Sequence, residues 1–149
     1  MFKKILFVCV GNICRSPTAE YWARTQCQKT QHNDIQISSA GLRAMVASPI
    51  AEQMKIILDK LNIDSSAHRA KQVDKNNIEN SDIIFVMESW QKQELNFAFP
   101  NSRGKIFSLG KWNDEEIIDP YRKDQSAFDH VFNMIQTNWE AWQKKLWNC

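Results

Sequence analysis

Apolar positions follow two alternating rhythms along the chain. Lys4-Ile-Leu-Phe-Val-Cys9 and Asp82-Ile-Ile-Phe-Val-Met87 are short runs rich in β-branched and aromatic residues, apolar toward both faces, as strands at the centre of a parallel sheet are. Ile35-Gln-Ile37 alternates, and Lys105-Ile-Phe-Ser-Leu109 reads as a fourth strand. Between the strands the period lengthens. Ser16-Pro17 supplies an N-cap and a first-turn proline for a helix over residues 16 to about 28. Ser48-Pro49 repeats that signal before the stripe Ile50, Met54, Ile57, Leu58 and Leu61. A shorter helix is predicted from 89 to about 97. The last runs from about 126 to 146, with Phe128, Val131, Phe132, Ile135, Trp139, Trp142 and Leu146 on its inward face. Strands alternating with helices predict an α/β fold: one domain over residues 1–149, with a four-stranded central parallel sheet and helices on both faces.

The composition narrows the function classes. A chain of 149 residues that is 43% apolar can bury a core without disulfides or a metal. Its net charge of +2 lacks the strongly basic balance of nucleic-acid binders, so no nucleic-acid partner is expected. The apolar run over residues 5–10 is far short of the ~20 residues that span a bilayer. It is also too short for a secretory core, which predicts a cytoplasmic protein with no membrane insertion. Cys9, Cys14, Cys27 and Cys149 form no C-x-x-C, and His32, His68 and His130 do not pair at metal-ligand spacing. No metal and no cofactor are expected. The small net charge is compatible with a monomer or a weak dimer. Three of the six tryptophans lie on the last helix as packing residues, whereas Trp112, on a polar loop, is a candidate site wall.

The chemistry concentrates in Cys9-Val-Gly-Asn-Ile-Cys-Arg-Ser-Pro17, between the first strand and the first helix. Ligands of open α/β sheets bind beyond the carboxyl ends of the strands. A loop entering a helix there offers backbone N–H groups and the positive end of the helix dipole to an anion. Gly11 and Asn12 tolerate left-handed backbone, which lets consecutive amides turn inward as a nest formed with Val10, Ile13 and Cys14. Arg15 adds a planar fork matched to two oxygens of a tetrahedral oxyanion. Cys9 would lie beneath, and such surroundings lower a thiol pKa from about 8.5 to as little as ~3.5–7.5. The Ser16 hydroxyl could donate to the sulfur. The pattern describes a nucleophilic cysteine under a phosphate-sized anion hole. A leaving oxygen needs a proton donor, and Asp119 in Ile117-Ile-Asp-Pro-Tyr121 is the candidate, with Tyr121 able to wall the cleft.

The C-x5-R-S pattern from Cys9 to Ser16, together with Asp119-Pro120-Tyr121, resembles the low-molecular-weight protein tyrosine phosphatase family over residues 3 to 147. The stretches Ser38-Ser-Ala-Gly-Leu42, Phe85-Val-Met-Glu88 and Asp119-Pro-Tyr-Arg-Lys123 are most similar to its bacterial members, in the branch acting on tyrosine autokinases of capsule and exopolysaccharide export. The resemblance implies Cys9 as nucleophile, Arg15 as phosphate clamp, Asp119 as general acid and then base, and Ser16 as the hydroxyl that activates the thiolate. It implies a shaping role for Asn12, Ser39 and His68, and in Cys14 the family's second cysteine, able to form a reversible disulfide with the nucleophile. Leu42 falls at the rim, where eukaryotic members often carry a bulkier residue. The expected partner is a phosphotyrosine protein, the cytoplasmic domain of such an autokinase.

Three other readings use the same loop. A thioredoxin-coupled arsenate reductase needs relay cysteines downstream, and none lies between Cys27 and Cys149. A protein-arginine phosphatase carries Thr where this chain has Ile13, an aliphatic residue better suited to an aryl ring. A phosphate-binding module without turnover needs neither the thiol of Cys9 nor the acid of Asp119.

Overall fold

Strands β1 (Lys4–Cys9), β2 (Gln36–Gly41), β3 (Ile83–Val86) and β4 (Ile106–Ser108) form one parallel sheet in the order β2-β1-β3-β4 in the computed structural model, which describes residues 2–147. Around it lie α1 (Arg15–Lys29), α2 (Glu52–Lys60), α3 (Lys75–Glu79), α4 (Ser89–Ala98) and α5 (Gln125–Trp147), with 3-10 turns at Pro100–Lys105 and Lys111–Asn113.

Because strand side chains alternate between faces, β1 feeds two cores. Ile5, Phe7 and Cys9 pack with α1, α2 and α5, while Leu6 and Val8 pack with Ile78 of α3 and Leu95 of α4. The larger core is organised by rings. Phe7 and Phe85 stack at 5.5 Å, and Trp139 meets both edge-on at 5.7 and 6.2 Å. The Trp142 indole donates to the Leu109 carbonyl at 2.9 Å, so its polar edge is satisfied where it is buried.

The sheet order positions the site. From β1 the chain moves outward to β2, then returns to the opposite side of β1 for β3 and β4. The crevice past the carboxyl ends of β1 and β3 is therefore a topological switch point, where such sheets bind ligands. Cys9 ends β1, and Glu88 follows β3.

Several local expectations are corrected. β2 extends over Gln36–Gly41, well beyond Ile35-Gln-Ile37, because Ser38 and Ser39 continue the ladder opposite Leu6 and Phe7. Ser16 is not an N-cap: α1 begins at Arg15 after Cys14, and the Ser16 hydroxyl is used elsewhere. The second helix does not start at Ser48-Pro49 but at Glu52, capped by Ala51, whose amide donates to the Ile13 carbonyl. Its buried stripe is Met54 and Leu58, and Leu61 is exposed beyond the helix end. The short α3, with an Asp74–Asn77 capping box, was not anticipated. The expected inward face of α5 is buried from Phe128 to Trp142, and Leu146 packs partly buried against it. Cys149 lies outside the described residues. No helix among them is long and apolar enough to cross a membrane.

Candidate active site

The loop between β1 and α1 is laced to the segment that follows β2. The carbonyls of Cys9, Val10, Gly11, Asn12 and Ile13 accept, in turn, from the amides of Leu42, Arg43 and Met45, from the His68 ring, and from the amide of Ala51, at 2.7–3.0 Å. In a trans peptide the carbonyl of one residue and the N–H of the next point in opposite directions. Turning these carbonyls outward thus turns the amides of Val10 to Cys14 inward, which makes an anion nest. Asn12 supplies the bend with φ at 58°, a left-handed conformation. Gly11 does not adopt it, contrary to the sequence expectation.

Asn12 is fully buried and spends its side chain on holding this shape. Its Nδ2 donates to Ser16 Oγ at 2.8 Å and Ser39 Oγ at 2.9 Å, and its Oδ1 accepts from the Lys71 amide at 2.9 Å. A carbonyl can only accept, so His68 Nε2, 2.7 Å from the Asn12 oxygen, carries its proton. Ser39 in turn donates to Glu20 Oε1 at 2.6 Å, and the Glu20 carboxylate is paired with Arg24. These bonds fix a direction. Ser16 Oγ already accepts from Asn12, so its own proton is available to Cys9 Sγ, 2.8 Å away, in preference to the Ala40 carbonyl at 3.5 Å. The Ser16 amide adds a contact of 3.4 Å to the same sulfur. Ser16 and Glu20 are four residues apart on one face of α1, which lets a single helix carry both ends of the relay.

Arg15 is 2% exposed. Its Nη1 donates to Glu88 Oε2 and to the Ile117 carbonyl, both at 2.8 Å, and its Nη2 stands 3.6 Å from Asp119 Oδ2. The loop bearing Asp119 is itself tied to the sheet, since the Ile117 amide donates to the Met87 carbonyl at 2.9 Å. Asp119 Oδ1 accepts from the Tyr121 amide at 3.0 Å, an Asx turn across Pro120.

A cavity of about 150 Å³ opens here, lined by Cys9, Val10, Gly11, Ile13, Cys14, Arg15, Arg43, Met45, Asp119 and Tyr121. Asn12, Ser16, Ser39 and His68 stand behind that wall as its support. Trp112 is not a wall residue: its ring meets Trp142 at 5.3 Å on the α5 side of the sheet. Leu42 is not at the rim either, because it packs on the smaller core while Arg43 and Met45 line the cavity. Cys9 and Cys14 carry unbridged thiols. Burial pushes the Cys14 thiol far up, the charges of Cys9 and Asp119 add to this, and Arg15 opposes it.

Sequence reasoning missed Glu88, Glu20, Arg43 and Met45 as site residues. For Glu88 a signal existed, an acid directly after a buried strand at the edge where Cys9 lies. Glu20 could have been read as the residue one turn after Ser16.

A family model described as low molecular weight phosphotyrosine protein phosphatase matches residues 4–148. The low molecular weight protein-tyrosine-phosphatase Ptp of Acinetobacter johnsonii is 37% identical, over 97% of this chain and 99% of its own. Among solved structures, the tyrosine phosphatase AmsI of Erwinia amylovora superposes with a TM-score of 0.90 at 34% identity, covering 97% of this chain and 93% of its own. Vibrio vulnificus Wzb in complex with benzylphosphonate gives a TM-score of 0.90 at 32% identity, covering 97% and 99%.

Proposed function

Since this chain belongs to the low molecular weight phosphotyrosine protein phosphatase family, we propose that Cys9, Arg15 and Asp119 hydrolyse protein phosphotyrosine by way of a cysteinyl-phosphate. The observation that carries the reading is the sulfur of Cys9 at the floor of a loop whose carbonyls are all bonded outward, with the Arg15 fork beside it.

The three non-bridging phosphoryl oxygens sit on the inward amides and on Arg15, which gains most as charge develops on them in the transition state. Cys9 Sγ attacks phosphorus, the bond from phosphorus to the tyrosyl oxygen breaks, and Asp119 gives that oxygen its proton. Water then attacks the phosphocysteine, Asp119 takes the water's proton, the S–P bond breaks and inorganic phosphate leaves. Ser16 donates to the sulfur while it is anionic, both before attack and as it departs. Ile13, Met45 and Tyr121 give the cavity apolar sides suited to a flat ring. No step calls for a metal or cofactor.

The partner in this reading is the phosphotyrosine-bearing cytoplasmic domain of a bacterial tyrosine autokinase controlling capsule or exopolysaccharide, met in the cytoplasm by a monomer or weak dimer. Its support is the similarity of Ser38–Leu42, Phe85–Glu88 and Asp119–Lys123 to that branch of the family. The test is phosphate release from phosphotyrosine peptides of autokinase tails, with phosphoserine and phosphoarginine peptides as controls. Turnover of the first alone, abolished in Cys9→Ser, is expected. Turnover by Cys9→Ser, or preference for phosphoarginine, overturns the reading.

A further inference from the structure

Arg43 belongs to the cavity wall but takes no part in the chemistry just described. Its backbone is fixed, with its amide on the Val10 carbonyl at 2.9 Å and the Met45 amide on the Gly11 carbonyl at 3.0 Å. The root of the side chain is therefore set relative to Cys9 by the same lacing that shapes the phosphate loop. Its head is steered outward by two residues one turn apart on α4. Nη2 donates to Glu94 Oε1 at 2.9 Å, and the guanidinium carbon lies 6.0 Å from the centre of the Trp90 ring.

This places a cation at the mouth of the site, 63% exposed and paired with a carboxylate that is itself 37% exposed. Such pairs hold weakly in water. A guanidinium has five N–H donors, and the bond to Glu94 uses one. The rest of the fork can take a phosphate or carboxylate in the two-bond geometry that favours arginine over lysine. The guanidinium is planar of itself, and the Trp90 ring lies beside it at 6.0 Å as an aromatic neighbour on the same rim.

Resting on the phosphatase reading, we infer that Arg43 selects phosphotyrosyl segments carrying an anionic group beside the phosphotyrosine, either a second phosphate or a carboxylate. Arg15 serves the phosphate being cleaved, and Arg43 serves its neighbour. Singly phosphorylated, neutral segments then fill the cavity but leave Arg43 on Glu94.

The test compares kcat/KM on four phosphotyrosine peptides, flanked by alanine, by aspartate, by lysine, or by a second phosphotyrosine. The wild type should favour the anionic peptides by about threefold or more, as an exposed charge pair allows, and the preference should shrink as salt is raised. Arg43→Ala should bring the ratio near one. Arg43→Glu should invert it toward lysine-flanked peptides, which a merely structural role would not do. A gain confined to the doubly phosphorylated peptide identifies phosphate as the neighbour read, and a gain on both includes carboxylate. A preference that survives in Arg43→Ala overturns this inference alone. A wild type that cleaves no phosphotyrosine peptide overturns the phosphatase reading and this inference with it.

Discussion

Arg15 and Glu88 meet at 2.8 Å across the crevice between β1 and β3. The arginine is 2% exposed and the glutamate 22%, so the guanidinium is held from behind by a partly desolvated carboxylate and by the Ile117 carbonyl, which leaves its other edge for a ligand. In the proposed reaction Glu88 acts through Arg15, as a positioning residue.

Its removal should therefore be costly in rate. Glu88→Ala leaves a buried cation short of its partner, and a displacement of about 1 Å at a phosphate clamp can cost on the order of 10²-fold. We expect kcat on aryl phosphates to fall about ten- to hundredfold, with a lowered melting temperature. Glu88→Gln keeps the acceptor oxygen and should lose less of both. Steady-state kinetics beside a thermal melt check this, and equal losses in the two variants would refute the positioning role.

Gly41 tests whether the loop depends on β2. It pairs with Cys9 in the sheet, and a Cβ built on it would collide with the Val10 carbonyl oxygen and stand 3.1 Å from the Asn12 amide. Both are backbone, and neither can swing aside. Gly41→Ala must therefore push the phosphate loop out of shape. Weakened binding of inorganic phosphate and a rate at least about tenfold lower are expected, since overpacking of this kind costs roughly 1–3 kcal/mol. Gly104→Ala, with open space around its Cβ, serves as the control that stays at the wild-type rate.

The site divides into what lies together along the chain and what only the fold brings together. Cys9, Arg15 and the loop between them are contiguous, so residue type and spacing alone bring out the stretch from Cys9 to Ser16 that lines and supports the cavity. Asp119, whose Asp-Pro step is expected at that same sheet edge, lines the cavity with Cys9. Ser38 and Ser39 break the apolar pattern that marks β2, and Ser39 bonds Asn12 and Glu20 there. Glu88 and Arg43 lie 73 and 28 residues from Arg15; the place of Glu88 after a buried strand marks the shared edge, but no local period announces which side chains meet when strands come together. Trp112 misled for a related reason: a tryptophan on a polar loop suggested a wall, but its ring was wanted by Trp142.

Asp119 stands 45% exposed at the cavity mouth, 3.6 Å from Arg15. In the proposed reaction it donates to the leaving oxygen, and it should matter most where that oxygen is most basic. Asp119→Ala is expected to lose about 10²–10⁴ in rate on phosphotyrosine, the usual range for a missing general acid. It should lose less on p-nitrophenyl phosphate, whose leaving group departs more readily without a proton. Rates across a series of aryl phosphates should consequently fall more steeply with leaving-group basicity in the variant than in the wild type. Parallel lines for the two proteins would remove Asp119 from that step.

Cys9 and Cys14 share the cavity but should react differently. Burial, reinforced by the negative charges of Cys9 and Asp119, raises the Cys14 thiol well above the ordinary range, so it stays protonated at every pH from neutrality to about 9. Alkylation requires the thiolate. Cys9 accepts the Ser16 hydroxyl and amide at 2.8 and 3.4 Å, contacts suited to an anion. Iodoacetamide between pH 7 and 9 should accordingly modify Cys9, abolish turnover, and leave Cys14 intact. Inorganic phosphate, seated over the sulfur, should slow the modification. Peptide mass mapping at each pH reads the outcome. Modification of Cys14 at a rate comparable to Cys9 would contradict the burial argument, and a failure of phosphate to protect would contradict the placement of the anion over Cys9.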